Sequence, residues 1–374
     1  MDTDDHPPKG ATLIANSRHT RVRRTIVALA VPALILAACG SSSKTTGGSS
    51  GTSSFQAGQG NAGVAQIVSS TDGAIGYVDY SDAKAANLKF ASIKNAAGTY
   101  VAASLDGAAA AVAASTVAAN LTYSPLNQSG ATVYPITSPT WIIVYAKQTD
   151  ATKGAALKNF LTFVLNDGQA LAESANFAKL PDSLRQQAVA QLAKLQVAAG
   201  GSGDTTLNGS GSTFQKTFDQ VAIAAFQQKN SGITVNYAGG GSGKGKTDLQ
   251  TKTVDFAGTD SLVKDADLAS YQGGAILYFP IVAAPITVSF NLSGVSSLQL
   301  SGPTVAKIFG GKITKWNDAA IAAENSGVTL PDTNITVVHR ADASGTTSNF
   351  TKYLVAAGGT DWTLGNGDTV NWPS

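Results

Sequence analysis

The chain has 374 residues, enough for two domains with their own cores, and 43% of them are hydrophobic. The chain has 26 lysines and arginines, five of them in residues 1–38, and 24 aspartates and glutamates, three of them in the same residues. The remainder therefore carries 21 charges of each sign. This neutrality excludes a broad basic surface for nucleic acid and a polybasic membrane face, and it restricts anion binding to a local site. With Cys39 as the only cysteine and with three scattered histidines, the sequence predicts no disulfide, no metal site and no cofactor.

The first 38 residues have the pattern of an export signal. Four arginines precede an apolar run, Thr25 to Ala38, which is too short for a comfortable membrane span. The run ends in Leu36-Ala37-Ala38-Cys39-Gly40, which resembles a bacterial lipobox, so Cys39 is predicted to be the lipidated first residue of the mature protein. A plain signal peptide, or a short anchor helix with a chance cysteine, is the alternative. Residues 39–54 are rich in Ser, Gly and Thr and are predicted to be a flexible tether to the outer face of the cell membrane.

From residue 55 onward the sequence predicts a mixture of strands and helices. The apolar runs Ala74–Tyr80 and Trp141–Tyr145 have the length of buried strands. Two apolar stripes at helical spacing predict core-facing helices, the second of them after Pro181-Asp182. The stripes comprise Leu157, Phe160, Leu161, Val164 and Leu165, and then Leu184, Ala188, Leu192 and Leu195.

The second half of the chain continues this pattern after a Gly-rich linker, Ala198–Thr206. Helices are predicted over Thr213–Gln228 and Ser348–Ala357, and strands over Ile233–Tyr237 and Ile335–His339. Strands that alternate with helices predict α/β layers, in which ligands bind at the carboxyl ends of the strands.

Three turns rich in Gly, Ser and Thr lie where a predicted strand is followed by a predicted helix. A helix N-terminus offers unpaired N–H donors and the positive end of the helix dipole, so such a turn can hold an anion. Because three of them occur in a segment that also contains Arg340 and Asp260, the sequence predicts one anion enclosed from several sides. The turns are Gly209–Phe214, Gly239–Gly243 and Ala343–Thr347.

The segment Gly240–Thr247 also satisfies GxxxxGK[ST], the nucleotide P-loop pattern. Export from the cytoplasm, where nucleotide is abundant, argues against an ATPase or GTPase. The sequence also shows no convincing apolar strand that ends in a metal-holding aspartate, since Val254-Asp255-Phe256 is too short. An anion-binding turn without nucleotide is therefore favoured, and a flexible Gly/Lys turn is the remaining alternative.

The segment Arg340–Thr347 is a more specific signal for a tetrahedral oxyanion. A guanidinium offers a rigid fork of donors, and Ser344 and Thr346 add hydroxyl and backbone donors at a helix start. Asp342 is predicted to hold the arginine in place. The alternative is an N-capped helix with a nearby surface ion pair.

Asp260 is an unexpected residue for an anion site, because a carboxylate repels an anion unless the ligand still carries a proton. It then accepts a hydrogen bond from that proton, which admits hydrogen phosphate and rejects fully ionised sulfate. The alternative is a loop aspartate that caps the following helix.

Several segments together resemble the substrate-binding protein of the bacterial high-affinity phosphate ABC transporter (PstS type). The resemblance spans about 55–197 and 204–374 and is far more specific than any single motif. Its segments are Gly73–Tyr80, Tyr134–Ser138, Asn208–Phe214, Val254–Asp260, Ile308–Asp318 and Val337–Thr347.

The resemblance implies an α/β, two-lobe, periplasmic-binding-protein-like (type II) fold with a hinge. The order of its two segments is reversed relative to the family, so the chain is predicted to be circularly permuted, with Gly200–Gly203 joining the old termini. The predicted organisation is a lipoprotein signal peptide at 1–38, a tether at 39–54, and two lobes. Lobe B is split into 55–135 and 281–374, and lobe A is continuous over 136–280, with the linker 198–206 inside it.

Transferred position by position, the resemblance implies eight phosphate-binding residues, with Phe214 acting through its backbone N–H. The family usually has Gly where Ala343 stands, and Lys244 alters its Gly-rich loop. The eight residues are Thr213, Phe214, Ser242, Asp260, Arg340, Ser344, Gly345 and Thr346.

The predicted function is extracytoplasmic capture of inorganic phosphate between the lobes by a lipid-anchored monomer, and its delivery to a membrane ABC permease. No bond is made or broken, so the protein is not expected to be an enzyme. Three other hypotheses are a P-loop nucleotide hydrolase, a secreted phosphatase that uses the same anion pocket, and a rearranged product without function. The sequence shows no metal ligands or obvious nucleophile for a phosphatase.

Overall fold

The computed structural model of the protein describes residues 54–373. The signal peptide, Cys39 and the tether predicted for residues 1–53 lie outside this range. Within it, no helix has the length and apolar character needed to cross a membrane. The strands are β1 (Ser54–Gly58), β2 (Ala74–Asp79), β3 (Lys89–Phe90), β4 (Ser92–Lys94), β5 (Tyr100–Val101), β6 (Thr137–Tyr145), β7 (Lys147–Gln148), β8 (Gln196–Val197), β9 (Thr205–Gly211), β10 (Ile233–Ala238), β11 (Phe256–Thr259), β12 (Ile276–Asn291), β13 (Gln299–Leu300) and β14 (Thr336–Arg340).

The helices pack on the strands and on one another, and short 3-10 turns follow several of them. The α-helices are α1 (Gly60–Ser70), α2 (Tyr80–Ala85), α3 (Leu105–Ala113), α4 (Ala151–Leu165), α5 (Asp182–Gln191), α6 (Lys216–Lys229), α7 (Ser242–Gln250), α8 (Asp265–Leu268), α9 (Gly302–Phe309), α10 (Ala319–Glu324) and α11 (Gly345–Gly358). The 3-10 turns are Asp167–Leu171, Glu173–Ala175, Leu192–Lys194 and Gly359–Asp361.

One long strand, β12, joins two halves of the main sheet. The strand order is β1-β14-β2-β12-β6-β11-β9-β10. Residues Ile276–Pro285 of β12 pair with β6, whereas Ile286–Asn291 pair with β2, both in antiparallel register. We call β1, β14 and β2 half-sheet B, and β6, β11, β9 and β10 half-sheet A. The predicted lobe boundary between residues 280 and 281 falls inside β12.

The strands next to the predicted turns run parallel and end together. In half-sheet B, Gly58 at the end of β1 pairs with Arg340 at the end of β14. In half-sheet A, β9 runs parallel to both β10 and β11, and Gly211 at the end of β9 pairs with Gly258. Because the carboxyl ends of parallel strands meet at one edge, the helices that follow start at that edge.

The predicted core elements are confirmed. Strands β2 and β6 are buried along their whole length, and the first apolar stripe lies on the inner face of α4. Helix α5 begins at Asp182, directly after Pro181 as predicted, although its last two apolar residues lie beyond its end. Burial of such stripes is the main favourable term in folding, so these residues need no functional explanation.

Several boundaries differ from the prediction, and one strand was not predicted. Helix α6 begins at Lys216 rather than Thr213, and α11 begins at Gly345 rather than Ser348. The linker ends before Thr205, because Thr205 and Thr206 belong to β9 and pair with β10. A short buried strand that was not expected, β11, ends at Thr259, directly before Asp260.

Candidate functional site at the strand ends

The three predicted turns do follow strands and precede helices, and they meet in one buried cleft between the half-sheets. The backbone N–H of Gly243 donates to the carbonyl of Ala343 at 2.9 Å, which joins the second turn to the third. Gly345 has no room for a side chain, because a Cβ there would lie 2.8 Å from the Cβ of Asp260. The same Cβ would collide with the hydroxyl of Ser242. Glycine at this position therefore allows the start of α11 to approach half-sheet A.

Asp260 lies at the centre of this cleft and is 2% exposed. Its Oδ1 accepts a hydrogen bond from the Ser212 hydroxyl at 2.6 Å and lies 2.8 Å from Thr140 Oγ1. The Ser242 hydroxyl lies 3.3 Å from Oδ2 and accepts the backbone N–H of Asp260 at 3.1 Å. The carboxylate is thus surrounded by hydroxyl groups, and within residues 54–373 it forms no salt bridge.

The electrostatics of Asp260 follow from this arrangement. Burial raises its pKa to about 6, and the hydroxyls of Ser212 and Thr140 and the charge of Arg340 only partly offset that rise. A carboxylate of this kind is well placed to accept a hydrogen bond from a ligand that carries a proton.

Arg340 is 5% exposed and is the cation of the same cleft. Its Nε donates to Asp342 Oδ1 at 2.8 Å and its Nη2 donates to Asp342 Oδ2, so the predicted role of Asp342 in holding the arginine fits the geometry. The remaining nitrogen, Nη1, lies 3.4 Å from Thr346 Oγ1. Burial alone would raise the pKa of Asp342, but hydrogen bonds and charge from Arg340 lower it. This pair is buried, not on the surface.

The start of α11 supplies the donors predicted from the sequence. The Ser344 hydroxyl caps the helix by accepting the N–H of Thr347 at 3.1 Å, which leaves its own hydrogen available. Gly345 and Thr346 follow in the first turn, where backbone N–H groups lack partners inside the helix. Both residues are buried.

Thr213 and Phe214 lie in the turn between β9 and α6. Thr213 Oγ1 accepts hydrogen bonds from Asn61, at 3.3 Å from its backbone nitrogen and 3.2 Å from its Nδ2. The Phe214 N–H, which we expected to face the ligand, donates to Ser212 Oγ at 3.0 Å. The Phe214 ring is buried against Phe177, with centroids 5.8 Å apart. All eight predicted residues therefore lie in or beside the same cleft.

Several residues of this cleft were not predicted from the sequence. Thr140 and Ser212 contact Asp260, and Asn61 contacts both Thr213 and Thr346. The Nδ2 of Asn349 donates to the Asp260 carbonyl at 2.6 Å. Asn61 could have been found, because Gly58–Gly63 is a fourth Gly-rich turn between a strand and a helix. Thr140, in contrast, directly precedes the apolar run Trp141–Tyr145 and has no distinguishing pattern.

The P-loop pattern does not form a phosphate loop. Helix α7 begins at Ser242, so Gly243 to Thr247 are helical and leave little loop to wrap a nucleotide phosphate chain. The lysine of the pattern, Lys246, pairs with Asp368 at 2.6 Å and lies 2.9 Å from Ser261 Oγ. Lys244 pairs with Asp248 one turn along α7. Within residues 54–373, no cluster of His, Cys, Asp or Glu is arranged to hold a metal ion.

Two half-sheets that share a long strand, with a polar cleft at the strand ends, define a two-lobe α/β fold of the periplasmic-binding-protein type. The chain belongs to the PBP superfamily, since the family model described as a PBP superfamily domain matches residues 15–168 and 196–369.

Curated relatives match a shorter part of the chain. It is 43% identical over 177 residues to the phosphate-binding protein PstS 3 of Mycobacterium leprae, which is 46% of this chain and 47% of the relative. It is 45% identical over 168 residues to PstS 3 of Mycobacterium tuberculosis, covering 44% and 45% of the two chains. For PstS of Pasteurella multocida the identity is 41% over 173 residues, covering 45% and 49%. The chain thus spans about half the length of the curated relatives that it matches.

A solved structure is also similar to this one. It is the phosphate-binding protein of a phosphate ABC transporter from Streptococcus pneumoniae, with a TM-score of 0.44 and 19% sequence identity. The match covers 69% of this chain and 82% of that protein.

Proposed function

We propose that this protein binds inorganic phosphate in the cleft between its half-sheets and delivers it to a membrane ABC permease. The proposal depends on one observation: a carboxylate and several hydrogen-bond donors lie together in the buried cleft. Asp260 is a carboxylate without a salt-bridge partner among the described residues, and its side chain lies against Gly345 at the start of α11, beside Arg340. The relatives named above are phosphate-binding proteins, which supports the same ligand.

The arrangement favours a tetrahedral oxyanion that retains a proton. The hydroxyls of Ser344 and Thr346, the N–H groups at the start of α11 and the Nη1 of Arg340 are donors for oxygens that carry charge. The Ser242 hydroxyl has one hydrogen, which it donates either to Asp260 Oδ2 or to the ligand. Asp260 is an acceptor for the protonated oxygen, and it repels a ligand that has none. The proposed contacts are the eight predicted from the sequence, namely Thr213, Phe214, Ser242, Asp260, Arg340, Ser344, Gly345 and Thr346. For Phe214 the contact requires that its N–H exchange the bond to Ser212 Oγ for one to the ligand.

Capture involves closure of two lobes and no chemical step, so we propose a binding protein rather than an enzyme. The proposed lobe A comprises residues 136–280, and lobe B comprises 55–135 and 281–374. Closure around the anion excludes water and strengthens each polar contact. Neither the hydrolase nor the phosphatase hypothesis is supported by a specific feature of the site.

The reversed segment order is part of the proposal. In the family, a segment like that at Trp372-Pro373 continues into one like Gly58–Gly63. Here Trp372 stacks on His339, with centroids 5.1 Å apart, and Phe55 lies 6.5 Å from the same ring. Phe55 of β1 and Trp372 thus lie beside the same residue of β14, which is compatible with the proposed permutation. Matches to about half of each relative are also expected for a permuted chain, in which one continuous alignment captures one segment.

The location of the protein is proposed from residues outside the described range. The pattern around Cys39 favours a lipid-anchored monomer at the outer face of the cell membrane, downstream of a cleaved signal peptide. There it would meet both external phosphate and the permease.

Calorimetric titration of residues 40–374 with phosphate and with sulfate tests the function. We expect saturable one-to-one binding of phosphate and much weaker binding of sulfate. Equal affinity for the two anions would contradict the role of Asp260, and an absence of phosphate binding by a cooperatively unfolding protein would overturn the proposal. Titration with ATP and magnesium in the same buffer tests the P-loop hypothesis.

A further inference from the structure

Asn61 is a fully buried asparagine that the sequence analysis did not assign to the site. It is the second residue of α1, in the Gly-rich turn after β1. The preceding residue, Gly60, donates its backbone N–H to Asp342 Oδ1 at 3.1 Å, so this turn also touches the partner of Arg340. The start of α1 is thus a fourth helix N-terminus at the cleft.

The orientation of the Asn61 amide follows from its neighbours. Its Oδ1 accepts the backbone N–H of Asp79 at 3.4 Å, and its Nδ2 lies 3.2 Å from Thr213 Oγ1 and 3.3 Å from Thr346 Oγ1. In a flipped amide, the NH2 group of Asn61 would face the backbone N–H of Asp79, so that two donors would meet. The two hydrogens of Nδ2 are therefore directed one to each threonine.

The hydrogen bonds to these two threonines use up their acceptor capacity. Thr213 Oγ1 receives the backbone N–H and the Nδ2 of Asn61, and Thr346 Oγ1 receives the Nδ2 of Asn61 and the Nη1 of Arg340. A hydroxyl has two lone pairs and one hydrogen. In the part of the chain that the structure describes, neither hydroxyl has an acceptor for its own hydrogen, so both remain available as donors.

We propose that Asn61 is a positioning residue that makes Thr213 and Thr346 hydrogen-bond donors toward the bound oxyanion. The inference rests on the proposed function and deepens it, because it names a residue that determines which ligands fit. A ligand that faces these two hydroxyls must present acceptor oxygens to both, as a phosphate with unprotonated oxygens does. A ligand with its own hydroxyl hydrogens at those positions is disfavoured.

The same residue couples closure to ligand binding. Thr213 follows a strand of half-sheet A, whereas Asn61 and Thr346 follow strands of half-sheet B. The bond from Asn61 to Thr213 is therefore made across the cleft, while the bond to Thr346 is made within one side. Opening the cleft would break the first bond and release Thr213 from its orientation as a donor.

Two substitutions at Asn61 separate this role from simple packing. Asn61→Ala removes the donor, and we expect phosphate affinity to fall roughly tenfold or more, as for the loss of one to two hydrogen bonds near a charge. Asn61→Leu keeps a similar volume but offers no donor and adds no charge. We expect Asn61→Leu to bind phosphate as weakly as Asn61→Ala, whereas a packing role predicts that Asn61→Leu binds nearly as well as the unmodified protein.

A matched control and a double-mutant cycle complete the test. Asn325 is also a buried asparagine, and its Nδ2 donates to the carbonyls of Gln299 and Ile321 away from the cleft. Asn325→Ala should lower the thermal midpoint without changing phosphate affinity. In a variant that already carries Thr213→Val and Thr346→Val, Asn61→Ala should cost little further affinity, because the hydroxyls through which it acts are gone.

The outcomes distinguish this inference from the proposed function. If the unmodified protein binds phosphate and Asn61→Ala binds as well, the positioning role is overturned and the function stands. Full additivity in the double-mutant cycle, measured on variants with cooperative unfolding, also overturns it. If the unmodified protein itself does not bind phosphate, the proposed function fails and the inference fails with it.

Discussion

The two buried charged residues of the cleft, Arg340 and Asp260, have different surroundings. Arg340 is paired with Asp342 through two nitrogens and is neutralised within the protein. Asp260 has no such partner and is surrounded by the hydroxyls of Ser212, Thr140 and Ser242. Both are nearly inaccessible, at 5% and 2% exposure.

This difference shows how one cleft can attract an anion and still select among anions. A paired arginine retains donors but contributes little net charge, so it fixes geometry more than it supplies attraction. A buried, unpaired carboxylate is costly when ionised, and that cost is lowered when a ligand donates a hydrogen bond to it. The following predictions separate these two contributions.

The largest effect is expected for Arg340→Ala. The variant removes a donor to the anion and leaves Asp342 as a buried, unpaired carboxylate, so phosphate affinity should fall by roughly 2 to 5 kcal/mol in calorimetric titration. The control is Arg340→Ala with Asp342→Asn, which removes the unpaired charge and should regain stability without regaining affinity. A loss below about tenfold, roughly 1.4 kcal/mol, would contradict the role given to Arg340.

Asp260→Asn should mainly change selectivity. Without the carboxylate, sulfate no longer meets a like charge, and the preference for phosphate over sulfate should narrow by about 2 kcal/mol in competition titrations. Asp255→Asn is a suitable control, because Asp255 is paired with Lys153 at 2.9 Å and is not among the proposed contacts. Selectivity that is the same in both variants would show that discrimination arises elsewhere.

The stability of the ligand-free protein should report the raised pKa of Asp260. The pKa of Asp260 is about 6 in the folded state, whereas the usual aspartate value is 3.8. Between these two pH values the folded state therefore binds more protons than the unfolded state. The free energy of unfolding should therefore fall as pH rises from 5 to 7, by about 1 kcal/mol more in the unmodified protein than in Asp260→Asn. Parallel pH curves from chemical denaturation of the two proteins would be inconsistent with this titration.

The smallest effect is expected for Lys246→Ala. Lys246 and Asp368 form a pair at 2.6 Å, 16% and 20% exposed, between α7 and the segment that follows α11. Its loss should weaken the closed state, and phosphate affinity with it, by about 0.5 to 1 kcal/mol. Lys244→Ala removes a salt bridge to Asp248, and both of these residues lie in α7. This variant should have no effect on phosphate affinity. Equal effects of the two variants would exclude a role in closure.

Local patterns predicted the elements well and their boundaries less well. The stripe on α4 was recognisable because its period alone fixes which residues face the core. The start of α6 was misplaced, since Thr213 has the residue type of a helix cap. In the structure its hydroxyl accepts hydrogen bonds from Asn61 instead, and α6 begins at Lys216. Strand β11 was missed because four residues are too few for a periodic signal.

The sequence by itself determined where strands are followed by helices, and therefore where unpaired N–H donors and their flanking hydroxyls occur. It could not determine which of these groups meet, because the contacts are far apart in the chain. Thr140 is 120 residues from Asp260, and Asn61 is 285 residues from Thr346. The pairing of β11 with β6 brings the first two residues together, and the pairing of β1 with β14 brings the second two together. Burial at these strand ends then raises the pKa of Asp260.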